Sequence, residues 1–306
     1  MTTFAFAIPT RNSVKTARQA LVSLAGQSHE DWYAVVVDDC STDGTAGFVE
    51  RTAAELGIGD KVRVIRNDKR RWEVYNVLVA MSWMGDDDVV CRLDLDDYLC
   101  DLNALEIMAK AYEQIPDLEA AWSNHRWFDE RGVTQQNISA AMPADADPYK
   151  HPWVSSHLKT WRKSVSKRVF DANYRGADDE YIKRAGDQAI YLPVLTLAKK
   201  RVHVPVAMYA YRCDMSPETF QTDDARFQKE EAEFLRGRGL LDMSMDDINR
   251  ETTLSYRKLM GETLTAEEEA DNEALRARLR FLLPKHEPLP PEVLAALEEI
   301  ENLKQP

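Results

Sequence analysis

The sequence predicts an α/β protein in which a mainly parallel sheet is covered by helices on both faces. Three observations carry that expectation. Nearly uninterrupted apolar runs of strand length recur at 4–8, 32–37, 62–65 and 89–93, stretches with helical apolar spacing lie between them, and the runs stop abruptly in polar or acidic residues. A strand buried on both faces reads as continuously apolar. Ligands of such sheets collect at the carboxyl ends of the strands, so the residues that end each run are the candidates for chemistry.

Phe4 to Ile8 is closed by Pro9, and Asn12-Ser13 are placed to cap a helix marked by Val14, Ala17, Leu21 and Leu24. Trp32 to Val37 runs into Asp38, Asp39, Cys40, Ser41, Thr42, Asp43 and Gly44 ahead of a helix near 46–56. Ordinary turn and cap chemistry would account for those polar residues; an acid such as Asp39 is equally suited to accept a nucleobase N–H. Val62 to Ile65 leads into Asn67, Lys69, Arg70 and Arg71, after which Val74, Val77, Leu78 and Met81 mark a helix. The run from Val89 then ends in Asp94, Asp96 and Asp97. Three carboxylates at one strand end repel each other, and a divalent cation removes that cost while holding a diphosphate. In this reading Asp94 takes a ribose hydroxyl and Asp96 the metal. The plainer alternative is an acidic turn capping the next helix, with Asp101 as N-cap.

Further on, 120–122 opens a strand, 128–132 reads as a turn, and 136–150 has no clear period and is expected to form a mobile loop that covers a bound ligand. Asp187, ahead of Ala189, Ile190 and Leu192, is placed to cap a helix, and 202–211 alternates as a strand. From residue 222 the composition turns to charged helices, with capping-box starts at 244–247 and 265–268, a Pro-rich break at 288–291 and a last helical pattern from Val293 to Leu303. The expected division is therefore a domain over 1–221 and a helical region over 222–306, whose expected jobs are packing, shaping an entrance or forming a homo-oligomer contact.

The net charge of −13 opposes general nucleic-acid binding, although Lys69-Arg70-Arg71 and the run from Lys159 to Arg168 offer local basic patches. Four cysteines show no metal-type spacing, and no apolar run reaches the length of a membrane span. A reducing, cytoplasmic setting is expected.

Phe-Ala-Ile-Pro-Thr-Arg-Asn at 6–12, Val-Val-Asp-Asp-Cys-Ser-Thr-Asp-Gly-Thr at 36–45 and Leu-Asp-Leu-Asp-Asp at 93–97 resemble, in order and spacing, the family 2 glycosyltransferases of the GT-A fold. The resemblance implies a Rossmann-like, nucleotide-binding mixed sheet flanked by helices, here with a helical C-terminal appendage. It also implies an inverting transfer from a nucleoside-diphosphate sugar, UDP-sugar foremost, to a glycan, protein or small-molecule acceptor, with Mn²⁺ or Mg²⁺. Carried over residue by residue, it places Pro9, Thr10 and Arg11 along the nucleotide pocket, Asp39 on the base, and Asp94 and Asp96 as the DxD pair. Asn76 matches an Asn found after the third strand, although the Gly-rich surroundings are missing. His157 and Arg212 would reach the diphosphate, with Lys69 as a further cation. Asp214 stands where a metal-binding His is usual. Asp187 matches the general base, although Gly186 replaces the first acid of the usual acidic pair. Rival readings are a DNA-base-modifying transferase, disfavoured by the acidic total; a nucleotidyltransferase, which would carry a Gly-rich phosphate loop after the first strand; and a non-catalytic nucleotide-binding protein.

Overall fold

A computed structural model describes residues 2–129, 132–133, 139–213, 222–242 and 245–282. The chain divides into two compact units, Met1–Asp242 and Met243–Pro306.

The first unit is built on one mixed sheet. Its strands are β1 (Phe4–Thr10), β2 (Trp32–Asp38), β3 (Val62–Arg66), β4 (Val89–Arg92), β5 (Tyr98–Leu99), β6 (Leu118–Asp129), β7 (Gly132–Val133), β8 (Lys159–Arg162) and β9 (Lys200–Arg212). They lie in the order β3-β2-β1-β4-β8-β6-β9-β5, with β7 paired to β6. The β3-β2-β1-β4 half is parallel, whereas β8 runs antiparallel to both β4 and β6. The helices are α1 (Ala17–Ala25), α2 (Thr45–Glu55), α3 (Trp72–Ser82), α4 (Ala104–Gln114), α5 (Lys163–Ser166), α6 (Gly186–Leu197) and α7 (Asp223–Arg238).

The period-two geometry of a strand explains why β1 and β2 read as continuous apolar runs. Phe4, Phe6 and Ile8 of β1 and Ala34 and Val36 of β2 pack with Leu21 and Leu24 of α1, Val49 of α2 and Leu105 and Met108 of α4. The intervening Ala5, Ala7, Val35 and Val37 pack on the opposite face with Val74, Val77 and Met81 of α3 and Ile190 and Val194 of α6. Both faces are dry, as a parallel sheet requires.

Chain order switches direction at β1, which has β2 on one side and β4 on the other. Thr10 pairs with Asp38, and Asp38 with Arg66, so Arg11, Asp39 and Asn67 leave the sheet along one edge. That edge is the topological switch point at which such sheets bind ligands.

Two local expectations change. Residues 139–150 are held down rather than loose: Arg201 donates to the carbonyls of Pro143, Ala144 and Ala146, and Arg236 to those of Tyr149 and His151. Residues 136–138 of that loop lie outside the described residues. The first compact unit also continues past residue 221 to take in α7, because Glu231, Arg236 and Arg238 of that helix bond to segments 183–185, 149–151 and 172–175.

The second unit is described as α8 (Met245–Leu259) and α9 (Ala266–Leu282), joined by ion pairs such as Arg257–Glu268 and Lys258–Glu269. The expected capping box at 265–268 is present: Thr265 N–H donates to Glu268, and Glu268 N–H donates to Thr265 Oγ1. The expected helix at 293–303 lies outside the described residues.

Candidate active site

The loops after β1 and β2 are laced together. Asn12 accepts the Thr42 N–H, Ser13 N–H donates to Thr45 Oγ1, and Val14 N–H donates to Asp43. Asn12 and Ser13 therefore join two loops instead of capping α1, whose N-cap is Thr16. Asp39 is buried and accepts Asn67 Nδ2 at 2.9 Å, the Arg71 N–H at 2.6 Å and the Trp72 N–H at 2.9 Å. It organises the β3–α3 loop, and with three acceptances it keeps lone-pair capacity for one more donor.

The cleft above this edge is lined by Pro9, Thr10, Arg11, Asp39, Arg70, Trp72, Glu73, Asn76, Asp94, Lys183 and Arg184. Five sequence-predicted residues, Pro9, Thr10, Arg11, Asp39 and Asp94, are thus brought together, with Asn76 beside them. Asn76 is buried and accepts Asn67 Nδ2 at 2.7 Å, which extends the network that holds Asp39.

At the end of β4 the acids take different roles. Asp97 is buried, accepting Tyr209 Oη–H at 2.8 Å and the Arg212 N–H at 2.7 Å. Burial, then the charges of Asp96 and Asp94, raise its pKa well above the carboxylate range. The Asp96 side chain accepts no hydrogen bond from another described residue, and desolvation with the neighbouring Asp94 charge lifts its pKa to about 6. Asp94 is held by Arg92 Nη2 at 2.9 Å.

Arg92 itself is only 3% exposed, and the same Nη2 donates to Glu73 Oε1 at 2.6 Å. Burial raises the Glu73 pKa to about 7; Arg92 opposes the rise, and the charges of Asp187 and Asp94 add to it. A buried guanidinium bonded to two carboxylates fixes Glu73 and Asp94 relative to each other, and its charge also reaches Asp187.

Asp187 lies in the first turn of α6, one residue after Gly186. It is not the helix cap, which is Ala185. Its carboxylate instead accepts Lys159 Nζ at 2.5 Å, the lysine side chain being 2% exposed and Asp187 32% exposed. Burial acts to raise the Asp187 pKa, but the Lys159 and Arg92 charges outweigh it, so the group sits below its ordinary value and stays ionised. The preceding turn is held by Glu231, whose carboxylate accepts the N–H groups of Lys183, Arg184 and Ala185.

Sequence reasoning missed the cationic wall. Trp72 has φ of 69°, strained for a bulky residue, and is held by its N–H bond to Asp39 and by guanidiniums on its ring: Arg70 at 3.3 Å and Arg184 at 4.5 Å. Burial, then the charges of Arg11 and Arg184, push the Arg70 pKa below its ordinary value. Crowded cations of this kind mark a place for an anion.

Other expectations move. Lys69 is exposed and does not line the cleft; its neighbour Arg70 does. His157 is buried between Tyr209 at 4.5 Å and Tyr211 at 4.8 Å, and desolvation keeps its pKa well below the usual value, so it is a neutral packing group without the expected reach to a diphosphate. Arg212 is beside Asp96, donating to its carbonyl at 3.1 Å. Asp214 lies outside the described residues. In the basic run from Lys159, Lys163 and Lys167 pair with Asp86 and Arg168 with Glu119, so part of its charge is balanced in place.

A cleft lined by acids and cations at the switch point of an α/β sheet is a place for a ligand. The chain belongs to glycosyl transferase family 2, whose model matches residues 5–170, and is an enzyme that transfers sugars. It is 23% identical over 234 residues to EpsE of Bacillus subtilis (strain 168), named as a glycosyltransferase, covering 65% of this chain and 83% of that one. The structure of S. aureus TarS 1–349 aligns with TM-score 0.55 and 22% identity over 92% of this chain and 81% of that chain. The same TarS fragment with UDP-GlcNAc aligns with TM-score 0.54 and 19% identity, covering 92% and 82%. These likenesses bear out the GT-A fold. No described helix is long and apolar enough to cross a membrane.

Proposed function

We propose that the cleft catalyses an inverting, divalent-metal-assisted transfer from a nucleoside-diphosphate sugar, UDP-sugar foremost, to an acceptor nucleophile on a glycan, protein or small molecule. One observation carries the reading: Asp39 and Asp94 line the same cleft as Arg11, Arg70, Lys183 and Arg184. That arrangement suits a base and ribose on the acids and a diphosphate on the cations. Asp39 accepts the base N–H, with Pro9, Thr10 and Trp72 walling the ring, and Asp94 takes a ribose hydroxyl. Asp187, ionised and aimed from the head of α6, takes the acceptor's proton; one carboxylate acting as base without a covalent intermediate inverts the anomeric centre.

The residues present fit a divalent cation. The Asp96 carboxylate accepts no hydrogen bond from another described residue and Asp94 is next to it, while no group of three or more His, Cys, Asp or Glu among the described residues is placed to hold a metal alone. Mg²⁺ and Mn²⁺ tolerate that, taking one or two carboxylates and completing their shell with diphosphate oxygens and water. When bound, the ion neutralises charge on the leaving diphosphate. Asp214 is a further candidate ligand from the sequence.

The four cysteines are free thiols, which supports a cytoplasmic, reducing setting. Self-association through the C-terminal helices is supported by the exposed Tyr256, Leu259 and Met260 at the end of α8, and light scattering of the purified chain tests it.

The deciding experiment is a thermal-shift screen of nucleoside diphosphates and sugar nucleotides with and without Mn²⁺, followed by donor turnover. Stabilisation by UDP that Mn²⁺ deepens supports the reading; indifference to every nucleotide overturns it.

A further inference from the structure

The wall of the cleft between Asp94 and the head of α6 is made by Glu73, from the first turn of α3. One carboxylate oxygen is fixed, since Oε1 accepts Arg92 Nη2 at 2.6 Å from a guanidinium that also holds Asp94. The other oxygen, Oε2, accepts no hydrogen bond among the described residues, and the side chain is 27% exposed. The room it occupies exists because residue 186 is glycine. A β-carbon there would collide with Glu73 Oε2 and lie 2.5 Å from Cδ and 3.0 Å from Oε1, closer than packed atoms allow, so Oε2 is the oxygen that the missing side chain leaves room for. Glu73 thus stands where a side chain at 186 would otherwise project.

We infer that Glu73 is a donor-specificity residue, its free Oε2 accepting a hydrogen bond from a hydroxyl of the sugar being transferred. The inference rests on the reading of Asp94 as the ribose contact and Asp187 as the base, because the group in transit must lie between them and Glu73 is the residue the cleft presents there. Preorganisation supports it further. A carboxylate with one oxygen anchored by a buried arginine cannot rotate away, and an acceptor already held in place gains more from a ligand hydroxyl than a mobile one. Arg92 ties Glu73 to Asp94, so the ribose contact and the sugar contact are held by a single cation.

The test is calorimetric titration of the full chain, with Mn²⁺ constant, using UDP, UDP-glucose, UDP-galactose and UDP-N-acetylglucosamine. The readout is the increment by which the best sugar nucleotide binds more tightly than UDP. Glu73→Ala is expected to reduce that increment by about tenfold, the scale of one hydrogen bond to a carboxyl group, with UDP affinity lowered by a smaller factor. Gly186→Ala leaves Glu73 in the chain but pushes its carboxylate aside, and is expected to lose the increment as well. Glu73→Gln preserves shape and a neutral acceptor and keeps part of it, which separates the effect from misfolding. Equal weakening of UDP and sugar nucleotides, full retention of the increment in Glu73→Ala, or no increment in wild type would each overturn the inference while leaving the cleft a nucleotide site. Failure of UDP itself to bind wild type would overturn the underlying reading and this inference with it.

Discussion

Replacing Lys159 with Met keeps the length of a buried stem and removes its charge, leaving Asp187 without the ammonium 2.5 Å away and Ser156 O without the donor 2.7 Å away. Breaking a buried pair by removing one partner costs about 3–5 kcal/mol. Asp187 keeps 32% exposure and still feels Arg92, so the lower end, about 3 kcal/mol, applies. At about 2–4 °C per kcal/mol for a unit of this size, the melting temperature should fall by about 6–12 °C. The pH dependence has a definite sign. In the native protein Lys159 and Arg92 overcome burial and hold the Asp187 pKa low, and a depressed carboxyl contributes stability above its unfolded pKa that is lost as pH falls through the folded one. Without Lys159 the burial effect is less opposed, so the pKa rises, that contribution shrinks and the acid limb of the rate–pH profile moves toward neutral pH. Thermal unfolding and kcat, each measured across pH, check both halves. A folded Lys159→Met protein with wild-type melting and an unmoved acid limb would refute the reasoning.

Asp187→Asn should lower turnover by about 10²–10⁴ while UDP affinity, read by calorimetry, is retained. Asp96→Ala should abolish the gain in UDP affinity that Mn²⁺ confers and leave metal-free binding nearly unchanged; chelation of the wild type should reproduce it. Glu231→Ala unties three N–H groups of residues 183–185, so those amides should exchange faster with solvent and UDP affinity should drop severalfold as Lys183 and Arg184 lose their fixed position.

The parallel half of the sheet was legible because β1, β2 and β4 are apolar almost to their last residues. The overlooked signal was Arg92 at the end of β4, followed by the apolar Leu93. A charged residue buried there must be paired, and it pairs with Glu73 and Asp94. The position of the motif acids could be read from strand ends, but their division of labour could not. Asp94, Asp96 and Asp97 are interchangeable as letters, and only the approach of Tyr209 and Arg212 from β9, more than a hundred residues away, turns Asp97 inward and leaves Asp96 open. His157 illustrates the same limit: a histidine near a motif has the same spelling whether it faces ligand or, as here, two tyrosine rings of β9.

The cationic wall escaped for a physical reason that also makes it informative. Arg70 and Arg184 lie on loops before different helices and converge on the Trp72 ring, Arg184 also pairing with Asp224 at 2.6 Å, and Trp72 is held in a strained backbone by Asp39. Asp39 thus does two things at once. It walls the cleft, and through the Trp72 N–H it sets the ring on which the cations stand. Asp39→Asn replaces one of its acceptor oxygens with a donor and so weakens that anchoring, which makes its expected effect larger than the loss of a single base contact. UDP and inorganic pyrophosphate should both bind more weakly, by calorimetry. Weakening confined to UDP, with pyrophosphate unaffected, would show that the acid serves the base alone and that the cations do not depend on it.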